Sequence, residues 1–480
     1  MFIKLIHSMR KIVVLLICVF SGLFVVKAQY KPYKGTDTNP VLTIEGGKII
    51  GVETCTPGVN VYRGIPYAAP PVGDLRWKEA QPVIPWVGIK CADEFGAAAM
   101  QVDRTPGEFY QIEFFPDGDP VRSEDCLYLN VWTSAAGKTD TKLPVAMWIH
   151  GGGMMQGFGH EMEFDGEALA KRGVILVTIN YRLGLSGFFV HPLLTKESKN
   201  HSSGNYGILD QLAALKWINK NIRQFGGDPN NVMIFGQSGG GRSVQTLVAS
   251  PLTKDLVHKA VIHSSLYSFP GVGSGTSGGN QQPLLADLEK LGKDVLDYGN
   301  IKTLEEMRAI SLDELQDLIT RYSKEKNKSV SFIFNIDNYL TIGNFPDLAA
   351  AGKILNIPYM IGYCGDDIKI ADGTGTMEST IKAFSLAIEQ HGHQPAFCYL
   401  FDRKMPGDDA GAFHSSELWY VFGTLDRCWR PLTPADYLLS EKMMNYWTNF
   451  AKTGDPNGKG LSLWERCSKN NNYFHLFNIE

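Results

Sequence analysis

Residues 236–240 read GQSGG, and this G-x-S-x-G pattern has the form of a serine nucleophile motif. The apolar run 232–235 directly before it predicts a short buried strand, and the apolar positions within 242–248 have helical spacing. A serine at such a strand-to-helix turn is held in a strained backbone conformation, so it needs glycine neighbours where a Cβ would collide. The pattern predicts a nucleophile elbow with Ser238 as the nucleophile. The alternative is a glycine-rich turn with a structural serine.

A second glycine run supplies candidates for binding a negatively charged oxygen. The run 144–149 predicts another buried strand, and the glycines at 151–153 follow it closely. Because no side chain obstructs them, the backbone N–H groups of Gly152 and Gly153 can face an oxyanion, with the N–H of Gly239 as a third donor. A flexible loop is the alternative interpretation, and the serine motif makes it the weaker one.

The general base is predicted to be His414, from its position after a strand. A serine hydroxyl is a poor nucleophile at neutral pH and needs a base, which is normally a histidine. His391 and His393 come before the predicted strand 396–401 and so belong near its amino end, whereas His414 follows it. Ligands bind at the carboxyl ends of parallel strands, which favours His414.

The acid that orients this histidine is expected after an intervening strand, in the chain order serine, acid, histidine. The run 358–362 predicts that strand, and Asp366 and Asp367 follow it. A carboxylate there would fix the imidazole tautomer and stabilise the imidazolium. The spacing alone leaves both aspartates as candidates.

The elements that must position these residues alternate between strand and helix. Between two of the strands, residues 207–225 have apolar positions at the spacing of an amphipathic helix. Such alternation is typical of an α/β fold with a large, mainly parallel central sheet and helices on both faces. The predicted strands are 144–149, 174–179, 232–235, 260–263, 358–362 and 396–401.

Three further segments complete the prediction. A Gly-Gly pair between two alternating runs suggests a hairpin within 41–52. Residues 64–77 are rich in proline and glycine, which predicts an ordered surface segment without regular structure. The stretch 271–328 is interpreted as a helical, poorly periodic insertion near the site. This insertion, Met154 and Met155 are candidates for shaping the pocket, although a methionine pair also fits ordinary core packing.

Composition favours a folded protein that acts on small molecules. The chain has 480 residues, of which 44% are hydrophobic, so it can bury a large core. A formal net charge of -4 and the lack of a long basic run give no indication of nucleic-acid binding. No repeat or linker divides residues 29–480, which are predicted to form one domain.

The first 28 residues have the pattern of a secretory signal peptide. A positively charged segment precedes the apolar run 12–26, and a small-residue cleavage pattern ends at Ala28. The apolar run is interrupted and short for a bilayer span, so no stable membrane anchor is expected after cleavage. The mature protein is therefore expected to be secreted or periplasmic.

The cysteines indicate neither a metal site nor a dense disulfide framework. Eight are present, and removal of the leader would leave seven, an odd set that cannot pair completely within one chain. No CxxC pattern occurs among them. Serine chemistry of the kind described above needs no cofactor and no metal.

Longer motifs give the chain a resemblance to a known family. Residues 123–130 read SEDCLYLN, residues 225–240 fit a serine signature that begins with FGGDP, and residues 449–456 read NFAKTGDP. With the motifs at 180–184 and 411–418, they cover nearly the whole mature chain. The sequence resembles the type-B carboxylesterases, the cholinesterase-like branch of the α/β-hydrolases, and especially the bacterial para-nitrobenzyl esterases.

The resemblance implies an α/β-hydrolase fold with a helical insertion near the active site, and it implies a role for each motif residue. The family's catalytic glutamate position falls on Asp367, with Asp366 as the alternative. By motif position the other roles are Ser238 as nucleophile, His414 as base, and Gly152, Gly153 and Gly239 as oxyanion donors. Two structural ion pairs are also implied, Arg76 with Glu124 and Arg182 with Asp210.

Two departures from the family pattern have consequences. The family usually has a glutamate before its serine, whereas this chain has Gln237, so a preference for cationic substrates is not expected. The usual disulfide partner of Cys126 would fall near Ala99, so that loop disulfide is expected to be absent, with Cys91 as a strained second choice.

The expected function is the hydrolysis of small-molecule carboxylic esters through an acyl-enzyme. A non-catalytic binding protein on the same fold is one alternative, because a fold alone does not fix function. An acyltransferase or peptidase is the other. The motifs do not specify the acyl or alcohol group.

Overall fold

A ten-stranded sheet forms the centre of the computed structural model, which describes residues 36, 38–266, 282–367 and 377–479. The strands are β1 (Leu42–Ile44), β2 (Gly47–Ile50), β3 (Val52–Glu53), β4 (Asn60–Pro66), β5 (Ile89–Cys91), β6 (Ala98–Ala99), β7 (Arg122–Ser123), β8 (Tyr128–Thr133), β9 (Leu143–Ile149), β10 (Ile175–Ile179), β11 (Gly227–Gln237), β12 (Lys259–His263), β13 (Tyr359–Cys364), β14 (Phe397–Phe401) and β15 (His475–Phe477).

The large sheet is mainly parallel, as the sequence predicts. Its order is β15-β14-β13-β12-β11-β9-β10-β8-β4-β3, and neighbouring strands are parallel from β15 to β10. The strands β8, β4 and β3 continue the sheet in antiparallel pairs. Outside it, β1 and β2 form the predicted hairpin, β2 also pairs with β5, and β6 pairs with β7.

Helices cover both faces of the sheet. They are α1 (Phe109–Phe114), α2 (Glu167–Lys171), α3 (Gly184–Phe188), α4 (Pro192–Glu197), α5 (Tyr206–Asn221), α6 (Gly239–Ala249), α7 (Leu285–Tyr298), α8 (Leu304–Ala309), α9 (Leu312–Lys326), α10 (Phe345–Ala350), α11 (Met377–Gln390), α12 (Leu418–Phe422) and α13 (Pro434–Thr453). Short 3₁₀ turns lie at Gly73–Leu75, Ile222–Phe225, Pro251–Thr253 and Leu425–Arg427.

The residues of strand β9 are apolar because both faces of the strand are buried. Val145 and Met147 pack into a hydrophobic cluster with α5 and α6, whereas Ala146 and Trp148 pack into a second cluster with α12 and α13. Successive side chains of a strand point to opposite faces of the sheet. A strand buried on both faces therefore reads as a continuous apolar run, which is how the sequence identifies it.

The prediction for residues 64–77 is wrong in two respects. Strand β4 extends to Pro66, and Gly73–Leu75 forms a 3₁₀ turn, so part of the segment is regular. Tyr67 and Trp77 are buried in the core, and the Trp77 indole N–H donates to a backbone carbonyl at 2.9 Å. Proline and glycine limit backbone conformations, but they do not prevent the aromatic residues between them from being buried.

Residues 282–328 of the predicted insertion are helical, as expected. They include α7, α8 and α9, and capping boxes at Thr303 and Ser311 begin the last two helices. The buried side chains of α9 include Leu315, Leu318 and Tyr322, a regular amphipathic spacing, so the description of this stretch as poorly periodic is wrong. Residues 271–281 lie outside the described part.

The predicted signal peptide, residues 1–28, also lies outside the described residues. Contacts along the chain place Gly35–Glu480 in one compact unit. Among the described residues, no helix combines the length and the apolar character that a membrane span requires. The same residues contain no cluster of three or more His, Cys, Asp or Glu side chains suited to a metal ion. The described cysteines are free thiols, including Cys126 and Cys91.

Both ion pairs implied by the family resemblance are present. Arg182, after β10, donates through Nη2 and Nε to the carboxylate of Asp210 on α5, at 2.7 and 2.8 Å. Arg76 donates from Nε to Glu124 at 2.6 Å. The first pair is completely buried, whereas the second retains partial exposure.

Candidate active site

Ser238 occupies the turn between β11 and α6 with a φ of 55° and a ψ of -118°. A positive φ is uncommon for a residue with a Cβ and marks local strain. Two backbone hydrogen bonds hold the turn: the Ser238 N–H donates to the His263 carbonyl at 3.0 Å, and the Ser238 carbonyl accepts from Arg242 at 3.1 Å. The predicted elbow is therefore present.

The glycines of the elbow let the turn between β11 and α6 pack closely against the end of β9. A Cβ added to Gly240 would lie 2.0 Å from the carbonyl oxygen of Ile149, and one added to Gly236 would lie 2.8 Å from the same oxygen. Backbone atoms in the middle of a sheet cannot move aside easily, so only glycine fits at these positions. The glycines thus fix how far Ser238 projects from the sheet.

The glycine run after β9 lies directly against the elbow. A Cβ on Gly239 would be 2.9 Å from the backbone nitrogen of Gly153, and one on Gly151 would be 3.4 Å from the Ser238 Cβ. Gly152 and Gly153 have φ values of 87° and 63°, which favour glycine. Within the described residues, their N–H groups donate to no other protein group. Unused donors beside a serine can receive a developing negative charge.

His414 lies in the loop between β14 and α12, where its imidazole meets Asp367. The distance from Nδ1 of His414 to Oδ1 of Asp367 is 2.5 Å. The second oxygen of Asp367 accepts from the backbone N–H of Cys364 at 3.1 Å, which fixes the carboxylate at the end of β13. Of the two candidate aspartates, the structure therefore brings Asp367 to the histidine.

Asp366 has a different position. Its Oδ2 contacts the Lys404 ammonium at 2.7 Å and accepts from the Ala412 N–H at 2.8 Å. Its own N–H donates to the Ala412 carbonyl at 2.9 Å. A Cβ on Gly411 would collide with the Asp366 carboxylate. Asp366 thus holds the loop just before His414 in place.

Burial and charge act in opposite directions on the His–Asp pair. Burial disfavours the charged forms of both groups, but the attraction and the hydrogen bond between them outweigh it. The pKa of His414 is therefore raised above its usual value, with a contribution from the nearby Glu417 carboxylate, and the pKa of Asp367 is lowered. The pair favours an imidazolium once a proton reaches it.

Gln237 contacts the other nitrogen of the imidazole. Its side-chain nitrogen lies 3.0 Å from Nε2 of His414. Because Nδ1–H donates to Asp367, Nε2 is unprotonated and accepts from the Gln237 amide. The nitrogen that would accept a proton from Ser238 is thus hydrogen-bonded to a neutral amide in this state.

Ser238 and His414 line one cavity of about 300 Å³. The described insertion helices, Met154 and Met155 are not among its lining residues, while residues 271–281 of the insertion lie outside the described part. Met154 is buried in the core and Met155 is half exposed, while the insertion packs near α3 and α4. The other described lining residues are Arg104, Tyr110, Phe114, Phe115, Gly151, Gly152, Gln156, Gly157, Glu161, Glu163, Phe164, Gln237, Ser415 and Leu418.

Comparison with known proteins identifies the family. The model of the Carboxylesterase family matches residues 38–382 and 371–479. The chain belongs to the carboxylesterase family. Like other carboxylesterases, it is a serine-type hydrolase of carboxylic esters, and this confirms the expectation from its motifs.

Relatives of this carboxylesterase come from animals and bacteria. It is 32% identical over 498 residues to the medium-chain fatty acyl-CoA hydrolase precursor of Anas platyrhynchos, covering 90% of this chain and 86% of that one. It is also 32% identical over 504 residues to the pyrethroid hydrolase Ces2e of Rattus norvegicus, covering 93% and 86%. A solved PNB esterase superposes with a TM-score of 0.74 at 28% identity and covers 91% and 95% of the two chains.

Sequence reasoning missed the charged wall of the carboxylesterase cavity. Arg104, Glu161 and Glu163 line it together with the aromatic residues of α1. The only signal was the position of this Glu-x-Glu pair shortly after the glycine run. In the structure the pair lies in a turn, where the Phe164 N–H donates to the Glu161 carbonyl at 2.8 Å. Charged residues are usually solvated, so the sequence alone gave no reason to place these in a cavity.

Proposed function

We propose that Ser238, His414 and Asp367 form the catalytic triad of this esterase. His414 would take the hydroxyl proton at Nε2 while the Ser238 Oγ attacks the ester carbonyl, and the same proton would then pass to the leaving alcohol. A water molecule, activated in the same way, would release the acid from the acyl-enzyme. Asp367 would hold the imidazole tautomer and stabilise the imidazolium.

The backbone N–H groups of Gly152, Gly153 and Gly239 would form the oxyanion hole. Contact between Gly239 and the backbone of Gly153 supports this role, as do the unused N–H groups of the glycine run. Preorganised donors of this kind stabilise the negative oxygen of the tetrahedral intermediate more strongly than the neutral carbonyl.

One observation carries the proposal: the Nδ1 of His414 contacts Asp367, while His414 and Ser238 line the same cavity. The experiment that tests it is Ser238→Ala, which should abolish the turnover of p-nitrophenyl acetate and leave the circular dichroism spectrum unchanged. An organophosphate should label the wild-type protein at Ser238 only. Strong residual turnover in a folded variant would overturn the proposal.

The two alternative functions predict different measurements. A non-catalytic binding protein would not turn over any ester, and the arrangement of His414 and Asp367 opposes this alternative. An acyltransferase would transfer the acyl group to an added alcohol in preference to water, and a peptidase would cleave an anilide as well as the matching ester. Hydrolysis of the ester alone supports the esterase.

We also propose that the protein is exported. The support is the sequence pattern of residues 1–28, a charged segment followed by an apolar run and a small-residue cleavage pattern. Expression of the full chain in a bacterial host should yield a mature amino terminus at Gln29 in the periplasm or medium. A full-length amino terminus in the cytoplasm would contradict this proposal.

A further inference from the structure

Two buried glutamates form one wall of the proposed catalytic cavity. Glu161 and Glu163 line the same cavity as Ser238 and His414, and only 2% of Glu163 is exposed. Each lies after the glycine run and before α2. Buried carboxyl groups are costly unless they are paired, so their position in the cavity wall needs an explanation.

The contacts of the two carboxyl groups differ. Oε1 of Glu161 accepts from the Phe158 N–H at 2.9 Å, which fixes this side chain beside the glycine run. Oε2 of Glu163 has no hydrogen-bond partner among the described groups, although it is buried. The two carboxyl groups also contact each other, and burial raises the pKa of both. The neighbouring Glu161 carboxyl group raises the pKa of Glu163 further.

Arg104 is the third charged residue that lines this cavity. Its guanidinium is paired with Asp119 and stacks 3.4 Å from the centre of the Phe115 ring. Its positive charge acts against the effect of burial and lowers the pKa of Glu161. Burial favours the neutral forms of both glutamate carboxyl groups, so a neutral hydroxyl suits the pair, because it could both donate to and accept from it.

We propose that Glu161 and Glu163 form a polar subsite that binds a neutral hydroxyl group on the substrate. The rings of Tyr110, Phe114 and Phe164 line the same cavity and suit an aromatic body that carries this hydroxyl. The preferred substrates are thus esters with a hydroxyaryl group. The inference rests on the proposed function, because it assigns specificity to the same cavity.

Matched esters test the subsite on both sides of the scissile bond. The acyl arm compares methyl 3-(4-hydroxyphenyl)propanoate with methyl 3-phenylpropanoate. The alcohol arm compares 2-(4-hydroxyphenyl)ethyl acetate with 2-phenylethyl acetate. The measured quantity is the ratio of kcat/KM for the hydroxylated and plain ester of each pair. In the wild type, one arm should give a ratio of at least about ten, because a buried polar group left unpaired rejects the plain analogue.

Three variants show whether the ratio comes from the glutamates. Glu163→Leu should bring the ratio in the favoured arm to within about twofold of one. Glu163→Gln keeps a hydrogen-bonding group and should give an intermediate ratio. Glu167→Gln is the matched control, since this glutamate contacts the Thr56 hydroxyl outside the cavity and should leave the ratio at the wild-type value.

The outcomes separate failure of the subsite from failure of the proposed function. If the wild type hydrolyses the plain and hydroxylated esters equally in both arms, or if Glu163→Leu keeps the wild-type ratio, the subsite is wrong. A higher kcat/KM for an aminomethyl analogue than for the hydroxyl ester would also overturn it. If no ester is hydrolysed, including p-nitrophenyl acetate, the proposed function itself fails. If Glu163→Leu does not fold, the subsite is tested by the wild-type ratio and by the ratio measured for Glu163→Gln.

Discussion

At the residue scale, the imidazole of His414 is held at both of its nitrogens. Asp367 accepts from Nδ1–H, and the amide of Gln237 donates to Nε2. Asp367 therefore determines the tautomer, while Gln237 competes with Ser238 for the basic nitrogen. A substrate that draws Ser238 towards Nε2 must displace the Gln237 amide. The first contact should govern the chemical step and raise the pKa of the base, whereas the second must break before Nε2 can accept the serine proton.

Removing the charge of Asp367 should have the largest effect on turnover after the serine itself. Asp367→Asn keeps the size of the side chain, but its amide can present N–H to the imidazole and stabilise the wrong tautomer. We expect kcat to fall by about 10⁴-fold, the loss seen for the equivalent change in the serine-protease template. Steady-state kinetics with p-nitrophenyl acetate measure it.

Asp366→Asn is the matched control for that substitution. It loses the ion pair with Lys404 and weakens the bond to Ala412, but it leaves the imidazole contact in place. Since the Lys404 pair is exposed, kcat should fall by less than about tenfold. A larger loss for Asp366→Asn than for Asp367→Asn would transfer the role of the acid to Asp366.

The pH dependence of kcat/KM should report the raised pKa of His414. Only neutral imidazole acts as a base, so activity is present above this pKa and is lost as pH falls through it. Because Asp367 and Glu417 raise the pKa, the acidic limb should lie above about 6.5, the ordinary histidine value. Gln237→Glu places another negative charge beside Nε2 and should move the limb to still higher pH. A limb unchanged by Gln237→Glu would show that Gln237 does not contact the working base.

The motifs and the predicted strands identified some of the site residues but not all of their contacts. Ser238 and His414 follow predicted strands, and the structure brings both to one cavity. Adjacent aspartates cannot be separated by spacing alone, because the direction of each side chain depends on the loop that follows β13. The contact between Gln237 and His414 joins residues far apart in the chain and was not predictable from either motif.

At the element scale, the elbow depends on the distance between α6 and β9. The helix begins at Gly239, and the Cβ position of Gly240 lies 2.0 Å from the Ile149 carbonyl oxygen. A side chain there would separate the helix from the strand and shift Ser238 away from the glycine run. Stability and activity should therefore be lost together when this contact is changed.

Gly240→Ala should lower the free energy of unfolding by about 3 kcal/mol or more, because the added methyl group meets backbone that cannot relax easily. Urea denaturation measures this loss, and kcat should fall in whatever protein remains folded. Gly58→Ala is the control. Its φ is 79° and nothing lies within 4 Å of its Cβ position, so only the left-handed conformation is penalised, by about 1–2 kcal/mol. Equal losses for both variants would show that the close approach at Gly240 is not limiting.

Strands were predictable from the sequence where burial on both faces makes every residue apolar. Six of the seven parallel strands appear as apolar runs, and only their ends differ; β11, for example, begins at Gly227. The seventh, the short edge strand β15, was not predicted. Strands β4 and β8 were missed because they pair antiparallel at one side of the sheet, within a glycine-rich segment and a polar motif. Residue types in such segments reflect turns and ion pairs as much as the strand itself.

At the scale of the whole molecule, two ion pairs join distant parts of the chain to the sheet. Arg182 and Asp210 connect the end of β10 to α5, inside the core. Arg76 binds Glu124 and also donates to the backbone carbonyls of Arg308 and Ile310, which ties the insertion to the amino-terminal part of the fold. The sequence implied both pairs through the family motifs. It did not give their burial, which decides how much each contributes to stability.

Asp210→Asn should destabilise the protein far more than Glu124→Gln. The side chains of Arg182 and Asp210 are 2% and 0% exposed, so removing the carboxylate leaves an unpaired guanidinium in the core, which costs about 3–5 kcal/mol. Arg76 and Glu124 are 12% and 20% exposed, and their pair should contribute about 1 kcal/mol.

Urea denaturation at low and high salt measures the loss of stability in both variants. The Glu124 effect should shrink at about 1 M salt, whereas the Asp210 effect should persist because buried charges are poorly screened. Similar losses for the two variants, or a strong salt dependence for Asp210→Asn, would show that water reaches the Arg182 pair and that burial does not set its contribution.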